Sequence, residues 1–121
     1  MVLGYSGSLG TMSAAPNESA NPRFAAIDCG TNSIRLLISE GTSDGQVKEL
    51  NRDNIIVRLG QGVDATGRFA DEALERVDKA LQIYADRMVE YGVVDVMMGA
   101  TSATRDATNR EEFFEITRRH L

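Results

Sequence analysis

The stretch DCGTNS, residues 28–33, sets an acid, a glycine and three small polar side chains directly before the aliphatic run IRLL. Gly30 allows the backbone to come close to a ligand, and consecutive backbone amides in such a turn can point at one anion. The side chains of Thr31, Asn32 and Ser33 add hydrogen-bonding groups with little bulk. This combination predicts a phosphate-binding turn.

Asp28 stands at the end of a predicted buried strand, where its carboxylate would repel a phosphate bound in the turn. A cation between the two groups removes this repulsion. Hydrated Mg²⁺ is suited to the task, because it retains several waters and usually needs only one or two protein carboxylates. We therefore expect Mg²⁺ as the cofactor, with Asp28 on the metal side. The structural alternative is that Asp28 only caps the turn.

The elements that position this turn begin with two apolar runs, FAAID before it and IRLLISE after it, which together predict a β-hairpin. The glycine-containing turn GTSDG leads into QVKELNR, a predicted third strand that extends toward Val57. A glycine-punctuated loop follows. Three antiparallel strands are therefore expected before the first helix.

The clearest periodicity lies in residues 71–91, where apolar side chains recur at spacings of three and four and form one helical stripe. Glu72 and Arg76 are expected to pair across one turn of this helix. The apolar run VVDVMMGA then predicts a buried strand added in parallel. Asn109 is expected to cap a second helix, with Glu112 completing a capping pair. The predicted fold class is α/β with a mixed sheet and the order β-β-β-α-β-α.

Composition limits the possible domain organisation, compartment and partners of the protein. Residues 1–22 have no apolar period and one charge, so a disordered leader is expected before a domain over residues 23–121. No stretch has the pattern of a secretory signal or a membrane span, and Cys29, the one cysteine, cannot form an internal disulfide, so the cytoplasm is the expected compartment. The net charge of −5 argues against a nucleic-acid partner bound through a broad basic face.

Three stretches in order carry a family resemblance: DCGTNSIRLL at 28–37, VRLGQGVDATGRF at 57–69 and GATSATRDATNREEF at 99–113. The first resembles the first phosphate loop of the superfamily that includes hexokinase and actin. Together they resemble the exopolyphosphatase and guanosine pentaphosphate phosphohydrolase (Ppx/GppA) family, from Phe24 to Leu121. The resemblance implies the N-terminal part of a ribonuclease H-like, or actin-like, lobe.

The resemblance also implies an activity, which is hydrolysis of a terminal phosphoanhydride of polyphosphate or guanosine pentaphosphate with Mg²⁺. It gives Asp28 the metal-side role and makes residues 30–33 the first phosphate loop. Ser102 and Arg105 are implied to bind phosphate in the same crevice, with Arg105 also catalytic, because a guanidinium neutralises charge on transferring phosphoryl oxygens. Arg58 is a weaker candidate, and so is Arg35, which could point to solvent.

Two family motifs do not occur in the sequence: the acidic Gly-x-Glu-Glu-Ala type, which carries the general base, and a second glycine-rich phosphate loop. We therefore expect part of a lobe that is inactive alone, whose VVDVMM strand has an unpaired edge and promotes self-association. The intact protein could form a homodimer. Two alternatives remain open: a lobe of a sugar kinase or actin-like ATPase, and a non-catalytic nucleotide-sensing module.

Overall fold

The computed structural model describes residues 2–5, 21–100 and 103–121. Within these residues the strands are β1 Val2–Tyr5, β2 Arg23–Cys29, β3 Ser33–Gly41, β4 Val47–Ile56 and β5 Asp95–Ala100. The helices are α1 Val63–Thr66, α2 Asp71–Glu90, α3 Ala103–Asp106 and α4 Arg110–His120. The strands form one sheet in the order β1-β5-β2-β3-β4.

The predicted strand pairings are present. β2 and β3 form the antiparallel hairpin around the polar turn, with Cys29 opposite Ile34. β4 pairs antiparallel with β3 and β5 pairs parallel with β2, so the sheet is mixed. The predicted α/β class and the order of its six elements are therefore confirmed. The one-turn helices α1 and α3 and the strand β1 are additions that the sequence patterns did not indicate.

β1 corrects one expectation about the sheet edge. Val2–Tyr5 lies inside the predicted leader, yet it pairs antiparallel with β5 along four residue pairs. The edge of β5 that was predicted to be unpaired is thus covered, and that prediction is wrong. The physical reason is that an open edge offers a row of unpaired backbone groups, which an extended segment of the same chain can satisfy. Residues 6–20 of the predicted leader lie outside the described residues.

The core lies between one face of the sheet and α2. Side chains on β2 and β3 alternate between this buried face and a second face with greater exposure, as strand geometry requires. The apolar stripe of α2 packs on the buried face as its periodicity predicts, and its fully buried members include Val77, Leu81, Tyr84 and Met88. The hydroxyl of Tyr84 donates to the Ile34 carbonyl oxygen at 2.6 Å and so joins α2 to β3.

The N-terminus of α4 lacks the expected side-chain capping hydrogen bond. Asn109 precedes the helix as predicted, but its side chain makes no capping hydrogen bond. Instead its Oδ1 accepts from the Phe69 amide at 2.8 Å, and its Nδ2 donates to the Phe69 carbonyl oxygen at 3.0 Å. Nδ2 also lies 3.1 Å from Glu112 Oε2. A side-chain amide can satisfy both backbone groups of an extended residue, and this pairing replaces the cap.

Candidate phosphate-binding site

The carboxyl ends of β2 and β5 lie side by side at one edge of the sheet, because the two parallel strands are in register with Cys29 opposite Ala100. Residues 30–33 follow β2, and α3 with Arg105 lies just beyond β5. Sheets with parallel strands bind ligands outside these carboxyl ends. Two of the predicted phosphate-binding segments therefore leave the sheet at the same place, while Ser102 lies outside the described residues.

The first of these segments is a tight turn that begins at Gly30. The amide of Gly30 donates to the Ser33 carbonyl oxygen at 2.9 Å. Within the described chain, a Cβ added at Gly30 would meet one atom, the same carbonyl oxygen at 3.5 Å, which is an ordinary contact. The described residues therefore do not themselves require a glycine here. Close approach of a ligand to the turn would account for it.

The carbonyls of the turn are occupied by a neighbouring segment. Val57 and Arg58 both donate their amides to the Asn32 carbonyl oxygen at 2.9 Å, and Gly60 donates to the Thr31 carbonyl oxygen at 2.8 Å. The amides of Thr31 and Asn32 have no acceptor among the residues that the structure describes. This polarity, with carbonyls bonded inward and amides left available, is what a backbone anion site needs.

The side chains of the turn are accessible. Those of Thr31 and Asn32 are exposed, and that of Ser33 is half-buried. Hydroxyl and amide groups at such positions can donate to a ligand without a large desolvation cost. The four predicted loop residues thus share one short turn with accessible donors.

The third stretch that carries the family resemblance, residues 99–113, is hydrogen-bonded to the second, residues 57–69. The Thr108 amide donates to the Gly67 carbonyl oxygen at 2.9 Å, next to the bonds between Asn109 and Phe69. Arg105 is exposed in α3, and its guanidinium has no partner in the described part of the chain. All three stretches that carry the family resemblance therefore meet at one end of the molecule.

Asp28 lies on the more exposed face of the sheet, opposite Arg35 of β3 and next to Gly99 of β5. It borders a cavity of about 350 Å³ on this face. The residues around the cavity are Ala26, Asp28, Arg35, Leu36, Leu37, Arg52, Asp53 and Asn54. Arg35 is exposed, as its alternation with apolar residues predicts, and it faces this cavity rather than lying in the turn.

The fit of Asp28 to Mg²⁺ depends on how many protein ligands the ion needs. Among the described residues, no three His, Cys, Asp or Glu side chains come close enough together to hold a metal ion. Mg²⁺ commonly retains waters and binds through one or two carboxylates together with substrate phosphates. One accessible carboxylate near a phosphate turn is compatible with that mode of binding.

Cys29 is a packing residue. Its side chain is completely buried on the helix-covered face. Burial, and secondarily the negative charge of Asp28, raises the pKa of the Cys29 thiol to about 12. Because the thiolate is the reactive form, this cysteine is unsuited to nucleophilic chemistry near neutral pH. In this environment Cys29 behaves as a small apolar side chain.

Arg76, like Asn109, has partners near the site that the sequence did not indicate. It was expected to pair with Glu72, but its Nε donates to the Val57 carbonyl oxygen at 2.7 Å. Its Nη2 donates to Gln61 Oε1 at 2.7 Å. No local signal could have revealed these contacts, because they join α2 to the segment that is hydrogen-bonded to the candidate phosphate-binding turn.

Residues 37–121 match the profile of the Ppx/GppA phosphatase family. The chain is 54% identical over 98 residues to Exopolyphosphatase 2 of Mycobacterium tuberculosis (strain CDC 1551 / Oshkosh), covering 78% of this chain and 31% of that protein. It is 40% identical over 97 residues to a bifunctional 3-dehydroquinate synthase/phosphatase of Fusobacterium nucleatum, covering 75% of this chain and 15% of that protein.

Solved structures that resemble this chain include members of the same family. A Ppx/GppA family member from Aquifex aeolicus superposes with a TM-score of 0.79 at 35% identity, over 84% of this chain and 33% of that chain. An exopolyphosphatase from Cytophaga hutchinsonii superposes with a TM-score of 0.74 at 30% identity, over 81% of this chain and 31% of that chain.

Strand order and structural neighbours define an α/β protein of the actin-like type, which confirms the predicted lobe. More particularly, the chain belongs to the Ppx/GppA phosphatase family. It spans about a third of the length of relatives such as Exopolyphosphatase 2 and the Aquifex aeolicus protein. No helix in the described part of the chain has the length and apolar character that crossing a membrane requires.

Proposed function

We propose that this chain contributes the first phosphate-binding loop of a phosphohydrolase that removes terminal phosphates from polyphosphate or guanosine pentaphosphate. The observation that carries the proposal is the turn at residues 30–33, whose carbonyls are bonded within the protein while the amides of Thr31 and Asn32 have no acceptor among the described residues. Relatives named as exopolyphosphatases support polyphosphate as one substrate.

Each proposed site residue has a distinct task. The amides of Thr31 and Asn32, with the side chains of Asn32 and Ser33, would hold phosphate oxygens. Arg105 would neutralise the charge that develops on the transferring phosphoryl group. Asp28 would bind Mg²⁺, which supplies positive charge between the carboxylate and the phosphate. Ser102 is proposed as a further phosphate contact on the family resemblance alone.

Hydrolysis also needs a group that activates water. The family resemblance assigns this general base to a Gly-x-Glu-Glu-Ala motif, which the sequence does not contain. We therefore expect this chain by itself to bind phosphate without hydrolysing it, because positioning an anion does not activate water. The preference between the two substrates, a homodimer and a cytoplasmic location stay predictions.

The family assignment bears differently on the two alternative functions. Family membership disfavours a sugar kinase or an actin-like ATPase. A non-catalytic nucleotide-sensing module remains compatible with a phosphate-binding turn, and it would differ from the proposed enzyme in the absence of turnover by the longer protein. Turnover of polyphosphate by that longer protein is the discriminating measurement.

The experiment that tests the proposal is calorimetric titration of this chain with tripolyphosphate, with and without Mg²⁺. Replacing Asn32 and Ser33 together by alanine should weaken binding by about tenfold or more, since each lost polar contact is worth roughly 1–3 kcal/mol. The melting temperature should stay nearly unchanged, because these side chains make no hydrogen bond within the described residues.

A matched control is Ser39→Ala with Gln46→Ala, which removes one hydroxyl and one side-chain amide at positions outside the turn. We expect this control to bind tripolyphosphate like the unaltered chain. Equal affinity of the unaltered chain and the Asn32→Ala, Ser33→Ala variant would contradict the assignment of the turn.

A further inference from the structure

Arg58 has an unusual backbone conformation beside the phosphate turn. With φ of 51°, it is the one non-glycine residue in the described chain that has a positive φ. This left-handed region is unfavourable for L-residues with a Cβ, and glycine, asparagine or aspartate adopt it more readily. Backbone strain of this kind persists where the surroundings enforce it, and it is concentrated at functional sites.

The surroundings of Arg58 enforce its conformation from both sides. Val57 and Leu59 are buried, with 0% and 1% exposure. The amides of Val57 and Arg58 share the Asn32 carbonyl oxygen at 2.9 Å, and the Arg58 carbonyl oxygen accepts from the Gln61 amide at 3.1 Å. The backbone of residue 58 is thereby attached to the phosphate turn itself.

The side chain of Arg58 is not used to build this structure. Another arginine, Arg76, spans the segment by donating to the Val57 carbonyl oxygen and to the Gln61 side chain, each at 2.7 Å. The Arg58 guanidinium is exposed, and within the described residues it has neither a hydrogen bond nor an ion pair. The left-handed backbone therefore holds a cation that is unpaired among the described residues next to the candidate anion-binding turn.

We propose that Arg58 is a phosphate-positioning residue, which binds a phosphate adjacent to the one held by residues 30–33 of the turn. The inference rests on the proposed function of that turn. The guanidinium comes from a neighbouring segment and not from the turn. Its natural partner is therefore a second phosphate of the same polyphosphate ligand. The planar fork of arginine suits two phosphate oxygens at once. The ligand class is an inorganic or nucleotide-linked chain of at least two phosphates.

The test compares Arg58→Gly with the unaltered chain, using tripolyphosphate and orthophosphate as probes. Glycine accepts the left-handed backbone without strain, so the melting temperature should stay equal or rise. Tripolyphosphate affinity should fall by about tenfold or more, while orthophosphate affinity stays unchanged. Arg58→Lys, which keeps the charge but loses the fork, should bind tripolyphosphate with intermediate affinity.

Arg68→Gly is the matched control, because Arg68 is an exposed loop arginine whose ion pair is with Asp71 at 3.6 Å. It should lower the melting temperature slightly and leave both affinities unchanged. Unaltered tripolyphosphate affinity in Arg58→Gly, alongside loss in the Asn32→Ala, Ser33→Ala variant, would overturn this inference and leave the proposed function standing. Equal losses for both probes would overturn the assignment to an adjacent phosphate. Failure of the unaltered chain to bind tripolyphosphate would overturn the proposed function and this inference with it.

Discussion

Asp28 and Cys29 are neighbours in β2 but belong to different environments, because successive side chains of a strand point to opposite faces. Asp28 lies on the more exposed face next to the candidate phosphate-binding turn, and Cys29 is completely buried against α2. One residue of register therefore separates a candidate metal ligand from an inert packing residue. A shift of the hairpin by one position would exchange the two environments.

The titration of Cys29 predicts weaker stability in alkali. Its pKa is raised from 9.0 to about 12 in the folded protein. Above pH 9 the unfolded chain loses this proton while the folded protein retains it, so the free energy of unfolding falls as pH rises. The stabilising contribution is complete below pH 9 and is lost progressively up to pH 12. We expect a decrease of up to about 1.4 kcal/mol per pH unit in this window.

Urea unfolding under reducing conditions, followed by circular dichroism from pH 7 to 11, checks this expectation. Tyr84, whose pKa is raised from 10.0 to about 12 by burial and then by Asp53, should steepen the decrease above pH 10. Cys29→Ala serves as the control, and its free energy of unfolding should depend less on pH between 9 and 10. An identical pH dependence in both proteins would show that the thiol does not contribute.

At the scale of elements, the site depends on how two loops are held to the ends of the strands. The segment after β4 is hydrogen-bonded to the candidate phosphate-binding turn through Asn32 and Thr31, and the end of the same loop is joined to the start of α4 through Asn109. Phe69 and Phe113 continue this contact into the core, with ring centroids 5.9 Å apart. The loop therefore connects the candidate phosphate turn to the second helix.

Replacing Asn109 by alanine should destabilise the protein by about 1–3 kcal/mol, because the Phe69 amide and carbonyl lose their partners while partly buried. The measurement is the free energy of unfolding from urea titration. Asn54→Ala, at an exposed position of β4, is the control and should change this quantity by less than about 0.5 kcal/mol. Equal effects of the two substitutions would contradict the structural role of the Asn109 amide.

The α4 terminus has a related contact between elements. The side chain of His120 is only 9% exposed, and its Nε2 lies 2.5 Å from Asp78 Oδ1 of α2. Arg119 approaches the same carboxylate oxygen at 3.5 Å. The last turn of α4 is thus attached to α2 by polar side chains as well as by apolar packing.

At the scale of the whole molecule, the outer strands of the described sheet are β4 on one side and β1 on the other, so β5 is an inner strand. β1 pairs with β5 in antiparallel register, with Leu3 opposite Met98. Self-association through β5, which the sequence predicts for an open edge, requires this pairing to be displaced. We therefore expect the state of association to depend on the first residues of the chain.

Deletion of residues 1–22 should increase self-association at micromolar concentration, because it exposes the edge of β5. Sedimentation velocity of the deleted and complete chains provides the measurement. Leu3→Pro is a milder variant that removes one backbone donor from β1, and it should shift the complete chain in the same direction. A deleted chain that sediments identically to the complete one would show that β1 does not protect the edge.

The sequence by itself determined the elements whose patterns are local. Apolar runs around a polar turn predicted the hairpin, spacings of three and four predicted α2, and the apolar run at 93–100 predicted a parallel strand. Three motifs in order indicated the Ppx/GppA family, which the relatives confirm. These features were predictable because strand alternation, helical periodicity and turn chemistry are each expressed within a few consecutive residues.

Only the tertiary structure decided how the candidate site is assembled. Arg76 bonds across to Val57 and Gln61 rather than to Glu72, and Asn109 bonds to Phe69, which is 40 residues away. The left-handed backbone of residue 58 and the pairing of β1 with β5 likewise carry no local signature. Each depends on a polar group finding a partner that is distant in the chain, and such partners exist only after the core has packed.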